Sequence, residues 1–369
     1  MSSTNLALKK PALPPDSLVL VTGANGFIAA HICDQLLLAG YRVRGTVRNI
    51  ERNAWLLSLF SSRYGPNRFS QVEVVDVGKS GALDEAVRGV DGVIHVAADT
   101  SLNTDAKRVI EGAVDGALGA LKSATKEASV KRFVYTSSST AVYMPGPMGA
   151  PYQKITQEVY NDSVVAYVNS LISPSPLGKV ENPTPGVGDG YLVYAAAKTA
   201  AEKAVWKWVE EDKPDFIVNS VVPSFTIGAP VDPTKLSTSQ SGIVAFFQHA
   251  QGLPCDEKIL KIVSEIPPKY SCDVRDVARA HVAALLASDV DKERLFVFSE
   301  KFSRNRLLEI WKEEYPEKKF MDNLEGVGWD ESDASTTTKR TVEILEKLGY
   351  ESGILGLRES LRDALIALV

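Results

Sequence analysis

Ser17-Leu18-Val19-Leu20-Val21-Thr22-Gly23-Ala24-Asn25-Gly26-Phe27-Ile28-Ala29 is the stretch whose reading decides the fold. Its first half is a continuous apolar run, as in a strand buried on both faces, and Gly23 ends it. Helical periodicity follows from about residue 25 to 39 and stops at Gly40. A turn of small residues between strand and helix lets the backbone approach a pyrophosphate, and the free N–H groups and dipole of the helix start favour its negative charge. Gly23, Asn25, Gly26, Phe27 and Ile28 are therefore read as dinucleotide-binding residues. Ala29 stands where a third glycine is common and is small enough for close helix–strand packing.

The alternation continues outward. Strand patterns at 41–47, 72–75, 92–96, 132–136 and 216–222 alternate with helical patterns at 51–62, 83–87, 105–128 and 191–211. Strands separated by helices imply right-handed crossovers and a parallel sheet covered on both faces. The expectation is α/β: a Rossmann-type doubly wound parallel sheet with a smaller C-terminal substrate lobe. Residues 1–16 read as a flexible N-terminal segment and 17–222 as the dinucleotide-binding domain. Within that domain, 144–190 is a Pro-, Gly-, Ser- and Asn-rich insertion near the substrate site. Residues 223–369 read mainly as the substrate lobe, irregular over 223–269, with 271–300 returning to the first domain.

Composition narrows the function. The 369 residues carry 41 basic and 46 acidic side chains, a formal charge of -5. With no excess positive charge to displace counterions, nucleic acid is not an expected partner. Cys33, Cys255 and Cys272 show no CxxC spacing, and His31, His95, His249 and His281 show no ligand spacing, so neither a disulfide framework nor a metal is expected. The polar N-terminus and the lack of a long apolar run point to a cytoplasmic protein with no membrane contact. A monomer or homodimer is expected.

The end of the second strand bears on the choice of dinucleotide. Val43-Arg44-Gly45-Thr46-Val47-Arg48 has no acid to bind ribose hydroxyls and offers Arg48, then Arg52. A guanidinium can bind a 2′-phosphate through two charge-assisted hydrogen bonds, so NADP(H) is expected over NAD(H). Asp76 and Val77 follow the third strand, where a side chain can meet the adenine. Ala97 and Ala98, after the fourth, offer a small-residue backbone beneath the cofactor.

Tyr194-Ala195-Ala196-Ala197-Lys198 carries the chemistry. Residues four apart share a helix face, so phenol and ammonium can enter one cleft. A nearby cation favours the phenolate of a group whose ordinary pKa is near 10. Thr136-Ser137-Ser138-Ser139-Thr140 ends the fifth strand on the same sheet edge and supplies hydroxyl donors.

Together, the 22–29 turn, Ser138 and the Tyr194–Lys198 pair resemble the motifs of the extended short-chain dehydrogenase/reductases, and Tyr270-Ser271-Cys272-Asp273-Val274-Arg275-Asp276-Val277-Ala278 resembles a late segment of that family. The nearest likeness within it is to the yeast NADPH-dependent aldehyde (carbonyl) reductases, with plant dihydroflavonol reductases more distant. The resemblance implies reduction of ketones or aldehydes to alcohols with NADPH. It makes Tyr194 the proton donor, Lys198 its helper and a ribose ligand, Ser138 the residue orienting the carbonyl, and Arg48 the clamp on the 2′-phosphate. Pro223 and Ser224 would border the nicotinamide. A lyase or epimerase on the same fold would place an acid after the second strand, and a cofactor-sensing protein would commonly lack the Tyr–Lys pair. Phe225, Phe246, Phe247 and the 144–148 segment suggest an apolar substrate pocket, and equally ordinary core.

Overall fold

The computed structural model describes residues 10–144, 153–173, 180, 182, 187–235, 238–350 and 353–366. The chain runs β1 (Leu18–Val21), α1 (Phe27–Leu38), β2 (Arg42–Val47), α2 (Ala54–Tyr64), β3 (Phe69–Glu73), β4 (Gly92–His95), α3 (Ala106–Ala124) and β5 (Arg132–Thr136). It continues through α4 (Asp162–Ile172), α5 (Asp189–Asp212), β6 (Ile217–Pro223), β7 (Phe225–Ile227), α6 (Thr238–Ala250), α7 (Glu257–Ser264), β8 (Lys269–Asp273) and α8 (Val274–Leu286). β9 (Arg294–Val297), β10 (Lys301–Phe302), α9 (Arg304–Glu314), α10 (Ser335–Lys347) and α11 (Leu357–Ala364) complete it.

Seven parallel strands form the main sheet in the order β3-β2-β1-β4-β5-β6-β9. β1 pairs with both β2 and β4, Val21 lying opposite Gly45 on one side and Ile94 on the other. The chain thus winds outward in both directions from β1, and a crevice opens beyond the strands' carboxyl ends at that switch point. Helices cover both faces. Leu36, Phe60, Leu285 and Leu345 pack with Val19 and Val21 on one side, and Leu121, Val205 and Trp208 pack with Leu20, Val93 and Phe133 on the other. Burial on both faces is why β1 reads as an unbroken apolar run.

A smaller sheet, β10-β8-β7, stands beside the first, with β7 parallel to β8 and β10 antiparallel to it. Its core holds Phe246, Phe247, Leu307, Trp311 and Leu361. The stretch read as irregular from 223 to 269 therefore contains β7, α6 and α7. Pro and Gly punctuate the short connections and mask the helical periods between them. The 144–190 stretch likewise contains α4. The helix expected at 83–87 is a run of turns instead, bracketed by Gly81 and Gly89 at φ 74° and 70°. Of the segment expected to be flexible, residues 1–9 lie outside the described residues, whereas 10–16 are anchored. Leu13 is fully buried and its carbonyl accepts from the Tyr41 hydroxyl, while Ala12 N–H donates to Leu286. No helix among the described residues is long and apolar enough to cross a membrane.

Candidate active site

The carboxyl ends of β1 and β4 are tied together by one side chain. Thr22 Oγ1 accepts from the N–H groups of Val96 (2.9 Å) and Ala97 (3.0 Å). Its own proton is then donated to His95 Nδ1 at 3.1 Å. Gly23 follows at φ +64°, and a Cβ there would lie 3.2 Å from Ala97 Cα and Cβ. Left-handed backbone and tight approach both call for glycine. Gly26 begins α1 with no side-chain cap and no acid in the first turn, which leaves the helix-start N–H groups for a ligand. Asn25 is exposed, and Phe27 and Ile28 are half-buried.

The other expected nucleotide residues lie along the same edge. Arg48 is exposed just beyond β2, a strand without an acid, and Arg52 is exposed in the 3-10 turn Glu51–Asn53. Asp76 is exposed after β3, but its Oδ1 accepts from the Gly78 N–H at 2.9 Å, so part of its capacity closes a local turn. Val77 packs against the core on the α3 side. Ala97 is half-buried and Ala98 exposed after β4. Pro223 ends β6, and the next residue, Ser224, is buried with its hydroxyl donated to the Tyr270 carbonyl at 2.6 Å, fastening the two sheets together.

Ser138, Tyr194 and Lys198 converge at the ends of β5 and α5. Ser138 precedes the 3-10 turn Ser139–Ala141, and its Oγ accepts from the Thr140 N–H (3.3 Å) and the Thr140 hydroxyl (3.0 Å). With acceptor capacity taken, its proton is free to donate, and Ser138 stands close enough to Tyr194 to pull the phenol's pKa down. Burial pushes the Tyr194 phenol up to about 12, against the downward pull of Ser138. Lys198 does not bond the phenol. Its Nζ donates to the Thr136 carbonyl at 2.9 Å and lies 5.7 Å from the Tyr135 ring centroid. Burial lowers its ammonium to about 8, opposed by the Glu202 carboxylate.

The preceding serine is engaged elsewhere. Ser137 donates to Glu202 at 2.7 Å, and Glu202 is fully buried. It also accepts from Ser220 (2.8 Å) and from Arg294 Nε (3.0 Å) and Nη2 (2.9 Å). Burial opposes the Glu202 charge, yet Arg294 and the two serines hold its carboxyl below the usual range. Behind Lys198, the carbonyl of Val277 accepts from His281 Nδ1 at 2.7 Å, so His281 Nε2 accepts from the Thr136 hydroxyl at 2.8 Å. Burial lowers His281 to about 4 and His95 to about 3, keeping both rings neutral.

Sequence reading missed three contributors. Glu202 stands four residues after Lys198 on the face that carries Tyr194, a spacing that could have marked it. Thr140 lay inside the quoted hydroxyl cluster. Arg294 is remote in sequence and carried no signal. Of the apolar candidates, Phe246 and Phe247 are core against Trp311, Met144 is buried, and residues 145–148 lie outside the described residues. Phe225 lines a small apolar cavity with Ile243, Pro267, Pro268 and Phe302.

Known proteins resemble the chain in both sequence and fold. Residues 19–167 match the NAD dependent epimerase/dehydratase family. The chain is 35% identical over 351 residues to aldehyde reductase 2 of Sporidiobolus salmonicolor, covering 95% of this chain and 96% of that one. It is 36% identical over 307 residues to ketoreductase adrE of Penicillium rubens, covering 82% of each. Its fold superposes on yeast methylglyoxal/isovaleraldehyde reductase Gre2 complexed with NADPH at a TM-score of 0.71 and 25% identity, over 95% of this chain and 98% of that one. The chain belongs to the NAD dependent epimerase/dehydratase family, the extended short-chain dehydrogenase/reductases.

Proposed function

We propose that the protein is an NADPH-dependent reductase of small ketones or aldehydes, in which Tyr194 donates the proton. The observation that carries the reading is the convergence of Ser138, Tyr194 and Lys198, the last held on the Thr136 carbonyl one helical turn from the phenol, on the sheet edge that also bears the Gly23–Gly26 turn. The residues fit the cofactor. At Gly23 a Cβ would press on Ala97 in a left-handed backbone that disfavours side chains, the start of α1 is uncapped, and β2 is followed by Arg48 rather than an acid.

When bound, NADPH supplies a hydride. Gly23, Asn25, Gly26, Phe27 and Ile28 hold its pyrophosphate, Arg48 and Arg52 its 2′-phosphate, and Asp76 and Val77 border the adenine. Ala97, Ala98, Pro223 and Ser224 line the remainder. Tyr194 stays a phenol far above neutral pH, which is the form needed to give a proton to the carbonyl oxygen. Ser138 donates to that same oxygen and stabilises the developing alkoxide. Lys198 uses donors not taken by Thr136 to hold the ribose hydroxyls.

The test follows loss of reduced-nicotinamide absorbance with a panel of aryl ketones, keto esters and aldehydes. NADPH should be consumed well in excess of NADH. Tyr194→Phe should lower kcat by about 100-fold or more, and Arg48→Ala should reduce the preference for NADPH by roughly tenfold, the loss of a charge-assisted pair. Full turnover by Tyr194→Phe would refute the assignment.

A further inference from the structure

Resting on that reductase reading, we propose that Tyr191, backed by the buried Lys269, is a second hydrogen-bond donor in the reaction cleft. It selects carbonyl substrates with a further oxygen acceptor close to the carbon that is reduced, as in keto esters, keto acids and diketones. Tyr191 precedes Tyr194 by one turn of α5, and their rings stack at 6.3 Å and 29°. The two phenols are close enough for Tyr191 to raise the pKa of Tyr194 electrostatically.

Lys269 opens β8 and is only 2% exposed. Its Nζ donates to the Tyr191 hydroxyl at 2.8 Å and lies 5.5 Å from that ring's centroid. An ammonium has no acceptor, so the Tyr191 oxygen receives this bond and the phenolic proton remains to be given to another group. The positive charge behind it makes that O–H a stronger donor. Burying a lysine is costly without compensation, and among the described residues Lys269 forms no ion pair with a carboxylate. Tyr191 itself is only partly buried, at the cleft end of α5.

The surroundings fit a bifunctional substrate. Lys269 pairs across the small sheet with Phe302, and Phe302 and Phe225 line the apolar cavity next to it. Ser138 and Tyr194 take the reacting oxygen, Tyr191 takes the second oxygen, and the cavity takes the carbon chain. A purely structural Tyr191–Lys269 pair would only staple the small sheet to α5 and would affect all substrates alike.

The discriminating quantity is a ratio: kcat/KM for a β-keto ester divided by kcat/KM for the ketone of equal chain length lacking the ester oxygens. It is measured for the wild type, Tyr191→Phe and Lys269→Met. We expect Tyr191→Phe, which deletes one oxygen, to lower the ratio about tenfold or more. Lys269→Met should lower it in the same direction. A wild-type ratio in Tyr191→Phe, with both substrates declining together, would overturn the proposal. An unchanged ratio in Lys269→Met alone would overturn the part assigned to Lys269. If the wild type reduces neither substrate, it is the reductase reading that fails.

Discussion

At Lys198 burial and charge oppose each other. Burial lowers its ammonium to about 8, while Glu202 one turn on holds it up. On the proposed mechanism reduction requires the protonated amine, which is complete below that value and lost as pH rises through it. Tyr194 keeps its proton to about 12 and so does not set the alkaline limit. The expected kcat profile for reduction therefore falls above about pH 8 with a single ionisation, read from steady-state rates at saturating NADPH. An activity plateau reaching pH 10 would show that Lys198 titrates as an ordinary amine. The Tyr194–Lys198 pair was legible because four residues return a helix to the same face. That Lys198 bonds the Thr136 carbonyl was not, since the contact joins residues 62 apart in sequence.

At the scale of elements, α5 is placed by what its first turn tolerates. A Cβ on Gly190 would lie 2.1 Å from the Leu102 carbonyl oxygen and 3.0 Å from its carbon. Leu102 itself is held at φ 55°, in the left-handed region. The loop that leaves β4 with Ala97 and Ala98 is thus pressed onto the helix that carries Tyr191, Tyr194 and Lys198. Gly190→Ala should force loop and helix apart at a cost of about 1–3 kcal/mol, seen as a lower denaturation midpoint. The same variant should lose roughly tenfold or more in kcat/KM, because small displacements of reacting groups are costly. Wild-type stability and rate would show that the contact relaxes freely. The strands β1 to β6 and the helices α1, α2, α3 and α5 could be read from periodicity, since each buries a regular face. α4, α6 and α7 could not, because their turns are short and their flanks dense in Pro and Gly, so their stability comes from packing against neighbours.

Across the whole molecule, buried polar groups connect the sheet to both helical layers. Glu202 on α5 gathers Ser137, Ser220 and Arg294, and Arg294 Nη1 also donates to the carbonyls of Gln157 and Val159. His281 on α8 reaches the sheet from the opposite face through Thr136. This arrangement has a pH consequence. His281 has a folded pKa of about 4 and His95 of about 3, against an ordinary value of 6.5. Below pH 6.5 the unfolded chain binds these protons and the folded one does not. The stability they contribute is complete above 6.5 and is lost as pH falls toward 4. For His281 alone the shift corresponds to at most about 3 kcal/mol. Asp276 acts in the opposite sense, its carboxyl being raised by burial to about 6, so its penalty is relieved over part of the same range. Two histidines outweigh one carboxyl, so the denaturation midpoint should drop between pH 7 and 4.5. His281→Gln, which can still accept from Thr136 but does not titrate, should flatten that slope. An equally steep slope in the variant would mean that the acid sensitivity resides in other groups.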